Sequence, residues 1–201
     1  MRSLQDIESV SAGMQRWVDA PGAKTLGSLV ELFEEKSFAM LFVVLLGVPA
    51  LPLPTGGATH VFEVVAALLA LQLIAGRKEI WIPRRWRDNE LPGSERFVRA
   101  QMRLVRSLER FSRPRMRFLF DHRLSNIAFG LIVIGGAAAA FFAPPFTGLD
   151  TLPSLGVVLV SLAVLLEDVV VVVVGLAVLA AGVTLEIVLG SAAIHWLRNV
   201  L

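Results

Sequence analysis

An all-α integral membrane protein built from two repeated units is the fold this sequence predicts, and three observations carry the prediction. First, the 201 residues are 55% apolar with a mean hydropathy of +0.69, beyond an ordinary soluble domain. Second, the apolar residues collect in long runs: Phe38 to Val48 and Ile127 to Leu149 carry no charge, and Val61 to Ala75 carries only Glu63. Third, a Pro/Gly interruption occurs twice, 91 residues apart, each time between two such runs. Pro54, Gly57, Thr59, Leu68 and Leu71 fall opposite Pro145, Gly148, Asp150, Leu159 and Leu162, and Phe38 falls opposite Phe129. Proline removes a backbone donor and clashes within a helix, and glycine lets the chain turn. Each unit therefore reads as helix, Pro-x-x-Gly-x-(Thr/Asp) break, helix. The break is either a turn outside the membrane or a re-entrant stretch, which must line protein or a wet cavity.

Taken in order, residues 1–27 form an N-terminal amphipathic segment. Ile7, Val10, Met14 and Trp17 recur at helical spacing, and Pro21-Gly22 ends the run. No apolar core of a signal peptide stands in the first 25 residues. A short helix from Ser28 to Glu35 leads into the first membrane unit, residues 28–76. A span needs about 20 apolar residues, and both arms of this unit are shorter, as discontinuous helices are. Arg77-Lys78 closes the unit, and Trp81 and Trp86 suit an interface.

Residues 77–125 are a basic linker. Residues 77–123 hold 14 of the 19 Lys+Arg but 6 of the 17 Asp+Glu, an excess the positive-inside rule assigns to the cytoplasm. Within it Arg96, Arg99, Arg103, Arg106, Arg110 and Arg113 alternate at spacings of three and four, one cationic stripe on a helix from Glu95 to Arg113. Phe97, Met102, Leu104, Val105, Leu108 and Phe111 make up much of another face, and Pro114 stops the helix. The expectation is an in-plane, lipid-binding helix on an anionic leaflet, each arginine contributing about 1 kcal/mol. Nucleic acid is not expected as a partner, because a stripe tethered beside the bilayer needs no other explanation.

The second unit, residues 126–201, begins with an uncharged run in which Gly135-Gly136 precedes four alanines, small residues that let helices approach closely. After its break, Thr151 to Leu166 forms an arm that ends at Glu167-Asp168, and Val169 to Leu197 continues apolar except for Glu186 and His195. A straight helix over 169–197 would be about 43 Å long, which predicts a bend near Gly182 or Gly190 or a helix projecting into the interface.

On these residues the chain resembles the ExoD family of bacterial exopolysaccharide-synthesis membrane proteins. The likeness lies in the first break with Gly57-Ala58-Thr59, in Gln72-Leu73-Ile74-Ala75-Gly76-Arg77 and in Trp81-Ile82-Pro83. It continues through Pro144-Pro145-Phe146, Leu152-Pro153 and Leu165-Leu166-Glu167-Asp168. The family pattern has Asn where Asp150 stands and Gly where Val169 stands. The resemblance implies a protein of the bacterial cytoplasmic (inner) membrane needed for exopolysaccharide production.

Candidate binding residues follow from ionisable and polar groups placed within apolar surroundings. His60 and Glu63 can face one side of a helix start and relay protons, or both can be wet at an interface. Asp150 and Thr151 open the matching helix, as a cap or as ion ligands. Glu167 and Asp168 are either a turn between spans or deeper ion ligands. Glu186 faces a cavity or partner helix, or marks a membrane boundary. Gln72 is a candidate polar contact between helices, Thr59 lies beside the first break, and His122 and His195 read as interfacial. With no cysteine, thiol chemistry is excluded. No Gly-x-Ser-x-Gly elbow, Walker loop or His-Glu-x-x-His spacing occurs, so neither an enzyme, a metal centre nor a cofactor is expected. The reading that results is a small secondary-transporter-like protein with its site at the two breaks and an anionic small molecule or ion as substrate. The alternative is a non-transporting membrane scaffold recruited through the arginine stripe. So small a chain offers few helices around a path, which favours a homodimer, and whether the repeat is parallel or inverted stays open.

Overall fold

The computed structural model describes residues 10–20, 25–33, 36–51, 59–77, 80–81, 83, 87, 95–113, 115, 120, 122–143 and 147–200, with backbone alone at 10–11, 14, 26, 29, 32–33, 95–101 and 193–200. Among the described residues there are eight helices and no strand. They are α1 (Val10–Asp19), α2 (Leu26–Phe33), α3 (Ser37–Gly47), α4 (His60–Ile74), α5 (Glu95–Phe111), α6 (Arg123–Phe142), α7 (Thr151–Leu166) and α8 (Val169–Val200). Pro54, Gly57 and Pro145, singled out as breaks, lie outside the described residues.

Two short helices form the centre. Every residue of α3 from Ala39 to Gly47 is buried, as are most of α7 from Pro153 to Leu165. At 1.5 Å per residue α3 is about 17 Å long and α7 about 24 Å, both shorter than a hydrocarbon core of about 30 Å. Around them α3 packs on α7, α4 and α2; α4 packs on α6; and α7 packs on α6 and most extensively on α8. Phe42 of α3 meets Phe129 of α6 edge-on, ring centroids 5.5 Å apart. The outer helices leave large apolar side chains exposed: Val61, Val64, Leu68 and Leu71 on α4, Leu131 and Phe142 on α6, Val173, Ile187 and Val188 on α8. Two helices, Arg123–Phe142 and Val169–Ala192, are long and apolar enough to cross a membrane.

Glycines set the α7–α8 seam. A Cβ on Gly156 would meet the backbone of Leu179 at 2.6 Å, one on Gly175 the Val160 nitrogen at 2.8 Å, and one on Gly182 the Pro153 nitrogen at 2.7 Å. The helices run antiparallel in a constant register along these contacts. Gly182 therefore serves close packing, and α8 runs as one helix through both Gly182 and Gly190. Of the Gly135-Gly136 pair only Gly136 faces a neighbour, Val157 of α7; Gly135 faces open space.

The two-residue elbow between α7 and α8 is a hub. Glu167 ends α7 with φ +56, and its carboxylate receives the Lys36 ammonium at 3.1 Å. Lys36 also donates to the Leu165 carbonyl at 2.9 Å, satisfying an open acceptor in the last turn of α7. Asp168 is buried. Its Oδ2 accepts from the Ser112 hydroxyl and the Arg113 N–H, both at 3.0 Å, and its Oδ1 from the Val170 N–H at 2.9 Å. The Arg115 guanidinium lies 3.8 Å from Oδ1, and the Arg115 N–H donates to the Glu167 carbonyl at 2.9 Å. The end of the basic segment is thereby fastened to the elbow.

On the N-terminal side, α2 begins at Leu26 rather than Ser28 because Thr25 and Ser28 cap it reciprocally: the hydroxyl of each accepts the other's N–H at 3.2 Å. Trp17 is buried and its indole N–H donates to the Ser28 hydroxyl at 2.9 Å. The helix expected over Glu95 to Arg113 forms, and part of its apolar face packs against protein while Phe111 is exposed. Met102 and Val105 are buried in one core cluster with Trp17, and α5 packs on α1. Arg103, Arg106, Arg110 and Arg113 stay exposed, Arg106 donating to Gln15 Oε1 at 2.7 Å; the side chains of Arg96 and Arg99 lie outside the described residues.

Candidate functional site

The described edges of the two breaks meet. The His60 ring at the start of α4 lies 4.8 Å from the Phe141 ring near the end of α6, where the second break begins. The second break turns at Gly148, whose φ of +69 favours glycine, before α7 opens at Asp150. His60 Nδ1 stands 2.8 Å from Glu63 Oε2, the pairing expected of residues three apart on a helix. The Glu63 side chain is 1% exposed and that of His60 is 31% exposed, so the pair bridges the interior and the outside of the protein. Thr59 is buried beside them.

Charge on Asp150 acts on Glu63, and charge on both Asp150 and Glu63 acts on Glu186. The α7–α8 register explains the third member: one helical turn beyond Gly182, it sets Glu186 level with Leu149 and Asp150. Asp150 makes no capping hydrogen bond through its side chain, although it occupies the N-cap of α7. Oε1 of Glu63, Oε1 of Glu186 and Oγ of Ser154 are shielded from solvent without a hydrogen-bond partner. Ser154 follows Asp150 by one turn and shares its face. Sequence reasoning passed over it because a serine in an apolar helix usually bonds the preceding turn, as Ser161 does with the Val157 carbonyl at 2.8 Å.

The remaining candidates lie elsewhere. Glu167 and Asp168 belong to the elbow at the opposite end of α7. Gln72 pairs with the Trp81 backbone, its amide donating to the carbonyl at 3.0 Å and its Oε1 accepting the N–H at 2.8 Å, so it closes the chain after α4. Thr151 is the first residue of α7 and half-buried. His122 is exposed before α6, and the His195 side chain lies outside the described residues. Among the described residues no three His or carboxylate groups converge to hold a metal ion.

The family described as "Exopolysaccharide synthesis, ExoD" matches residues 10–188, which takes in both breaks, the cluster and the elbow. The chain belongs to the ExoD family. It is 31% identical over 148 residues to Protein ExoD of Rhizobium meliloti, covering 72% of this chain and 61% of that protein. It is 30% identical over 145 residues to an uncharacterized protein of Synechocystis sp., covering 71% of this chain and 68% of the relative. No solved structure matches the chain. The ExoD family is linked to exopolysaccharide synthesis.

Proposed function

We propose that this ExoD-family chain is a multi-pass protein of the bacterial cytoplasmic membrane that supports exopolysaccharide synthesis as a small secondary-transporter-like carrier. The observation that carries the reading is the part-buried polar cluster where the two breaks meet, in which Oε1 of Glu63, Oε1 of Glu186 and Oγ of Ser154 have no hydrogen-bond partner. Polar groups of this kind are costly in an apolar bundle and are kept where they bind something. Exposed apolar side chains on α4, α6 and α8 suit lipid contact, and α3 and α7, enclosed by protein, suit short broken helices.

An internal repeat is part of the same reading. The starts of α4 and α7, His60 and Thr151, are separated by the 91-residue offset of the sequence match. Exchanging α3 with α6 and α4 with α7 maps the contacts α3–α4 and α3–α7 onto α6–α7 and α4–α6. The site then lies between the repeats, with the α4 and α7 N-termini directed at an anionic group and Glu63 or Asp150 handling a coupled cation or proton. Residues 77–125 face the cytoplasm, and the protein works as a homodimer.

The test is complementation of exopolysaccharide output in a strain lacking its ExoD protein, paired with proteoliposome counterflow of labelled phosphate and uronic acids. Glu63→Gln and Asp150→Asn are expected to abolish both while leaving the protein folded and in the membrane. A second reading has its own observation: the exposed Arg103, Arg106, Arg110 and Arg113, on a helix whose Met102 and Val105 are buried with Trp17, suit recruitment of anionic lipid or an acidic partner. If neutralising these four arginines stops output while both carboxyl variants are active and no counterflow occurs, the scaffold reading replaces the carrier.

A further inference from the structure

We propose that Glu63, Asp150 and Glu186 form one proton-binding site that is loaded and unloaded through His60. The proposal deepens the carrier reading, on which it rests for the use made of the proton.

Charge counting leads to the proton. Three carboxyl groups act on one another here, from α4, the start of α7 and α8. No Lys or Arg stands in α3, α4, α7, α8 as far as Ala192, or α6 beyond Arg123, so His60 is the one cationic partner these helices offer the cluster. Three ionised carboxylates against one imidazole would leave negative charge uncompensated in and around a buried site, which is costly even after relaxation. A proton held among them removes that charge. The open oxygens agree with this: Oε1 of Glu63 and Oε1 of Glu186 are shielded and unpartnered, and so is the independent Ser154 hydroxyl one turn above Asp150. A metal cation would need several oxygens converging on one point, and the described carboxyl groups do not so converge.

His60 supplies the route. Its ring is part-exposed, with Nδ1 2.8 Å from Glu63 Oε2. With Nδ1 protonated and Nε2 free, Nε2 takes a proton from water and the imidazolium then passes its Nδ1 proton to Oε2. Glu63 becomes a neutral acid and His60 is left neutral with its proton on Nε2; the reverse sequence unloads the site. Carboxyl groups this closely associated titrate as a set rather than one by one.

The experiment is infrared difference spectroscopy of the full-length protein in nanodiscs, between mildly acidic and mildly alkaline buffer. A carbonyl stretch from a protonated carboxylic acid is expected near neutral pH and shifts in heavy water. Glu63→Gln and Glu186→Gln should each roughly halve it, and Asp150→Asn should move its titration. His60→Phe should keep the band but slow its appearance after a pH jump. No such band in the native protein at any pH, or a band unchanged in both Gln variants, overturns the proposal. So does a band removed at constant pH by sodium chloride but not by choline chloride, which would mark a cation site. A band that behaves as expected in protein without counterflow upholds the proton site while the carrier reading fails.

Discussion

Replacing Gly156 by leucine is expected to prevent the bundle from assembling. The added Cβ alone would lie 2.6 Å from the nitrogen, Cα and Cβ of Leu179, and a neighbouring helix backbone cannot swing aside like the tip of a long side chain. α7 and α8 would have to part, and Gly175 and Gly182 would lose their contacts on the same seam. Overpacking of this kind costs about 3 kcal/mol. Because α7 is the centre of the bundle, the loss reaches α3 and α6 as well. Circular dichroism during titration with sodium dodecyl sulfate should show the variant unfolding at much lower detergent fraction. Gly135→Ala and Gly190→Ala are the controls: neither Cβ meets an atom within 4 Å, and alanine favours the helix by about 1 kcal/mol, so both should be neutral or stabilising.

The second large effect belongs to Asp168. Burial works against its ionisation, but the Arg113 and Val170 N–H groups, the Ser112 hydroxyl and the Arg115 guanidinium together outweigh it and hold the carboxyl below its usual range. A carboxyl whose folded value is depressed contributes stability above its unfolded value, about 3.9, and loses that contribution as pH falls through the lower folded value. Asp168→Ala removes the acceptor for three donors at once and should cost about 3 kcal/mol at neutral pH. The same detergent titration, repeated in strong acid, should show native protein and variant drawing together. A gap that stays constant from neutral to acid pH would mean that the charge is not what stabilises the elbow.

How legible this was in the chain depends on what each signal reports. α7 follows the expected Thr151–Leu166 because its limits are local: a Gly/Asp break before it and a pair of acids after it. The helix carrying the arginine stripe is equally local, since spacings of three and four are a property of the helix itself. The enclosure of α3 was not legible, because an uncharged run reads the same whether lipid or protein surrounds it. Nor was the covering of Met102 and Val105 by α1, which depends on how the N-terminal segment folds back. Among the candidate residues, His60 and Glu63 were paired by their spacing, whereas Glu186 joins them only through the α7–α8 register. Glu167 and Asp168 were legible as the end of α7, but their partners, Lys36, Ser112 and Arg113, were not, being remote in sequence.

The enclosure of α3 also dictates an order of events during synthesis. The ribosome delivers Ser37–Gly47 long before Thr151–Leu166, and α3 has no complete set of neighbours until α7 arrives. Such distant pairing is slow because a long loop must close first. The nascent first half must therefore wait, its short apolar segment covered on the described side by α2 and α4, until Thr151–Leu166 has been made.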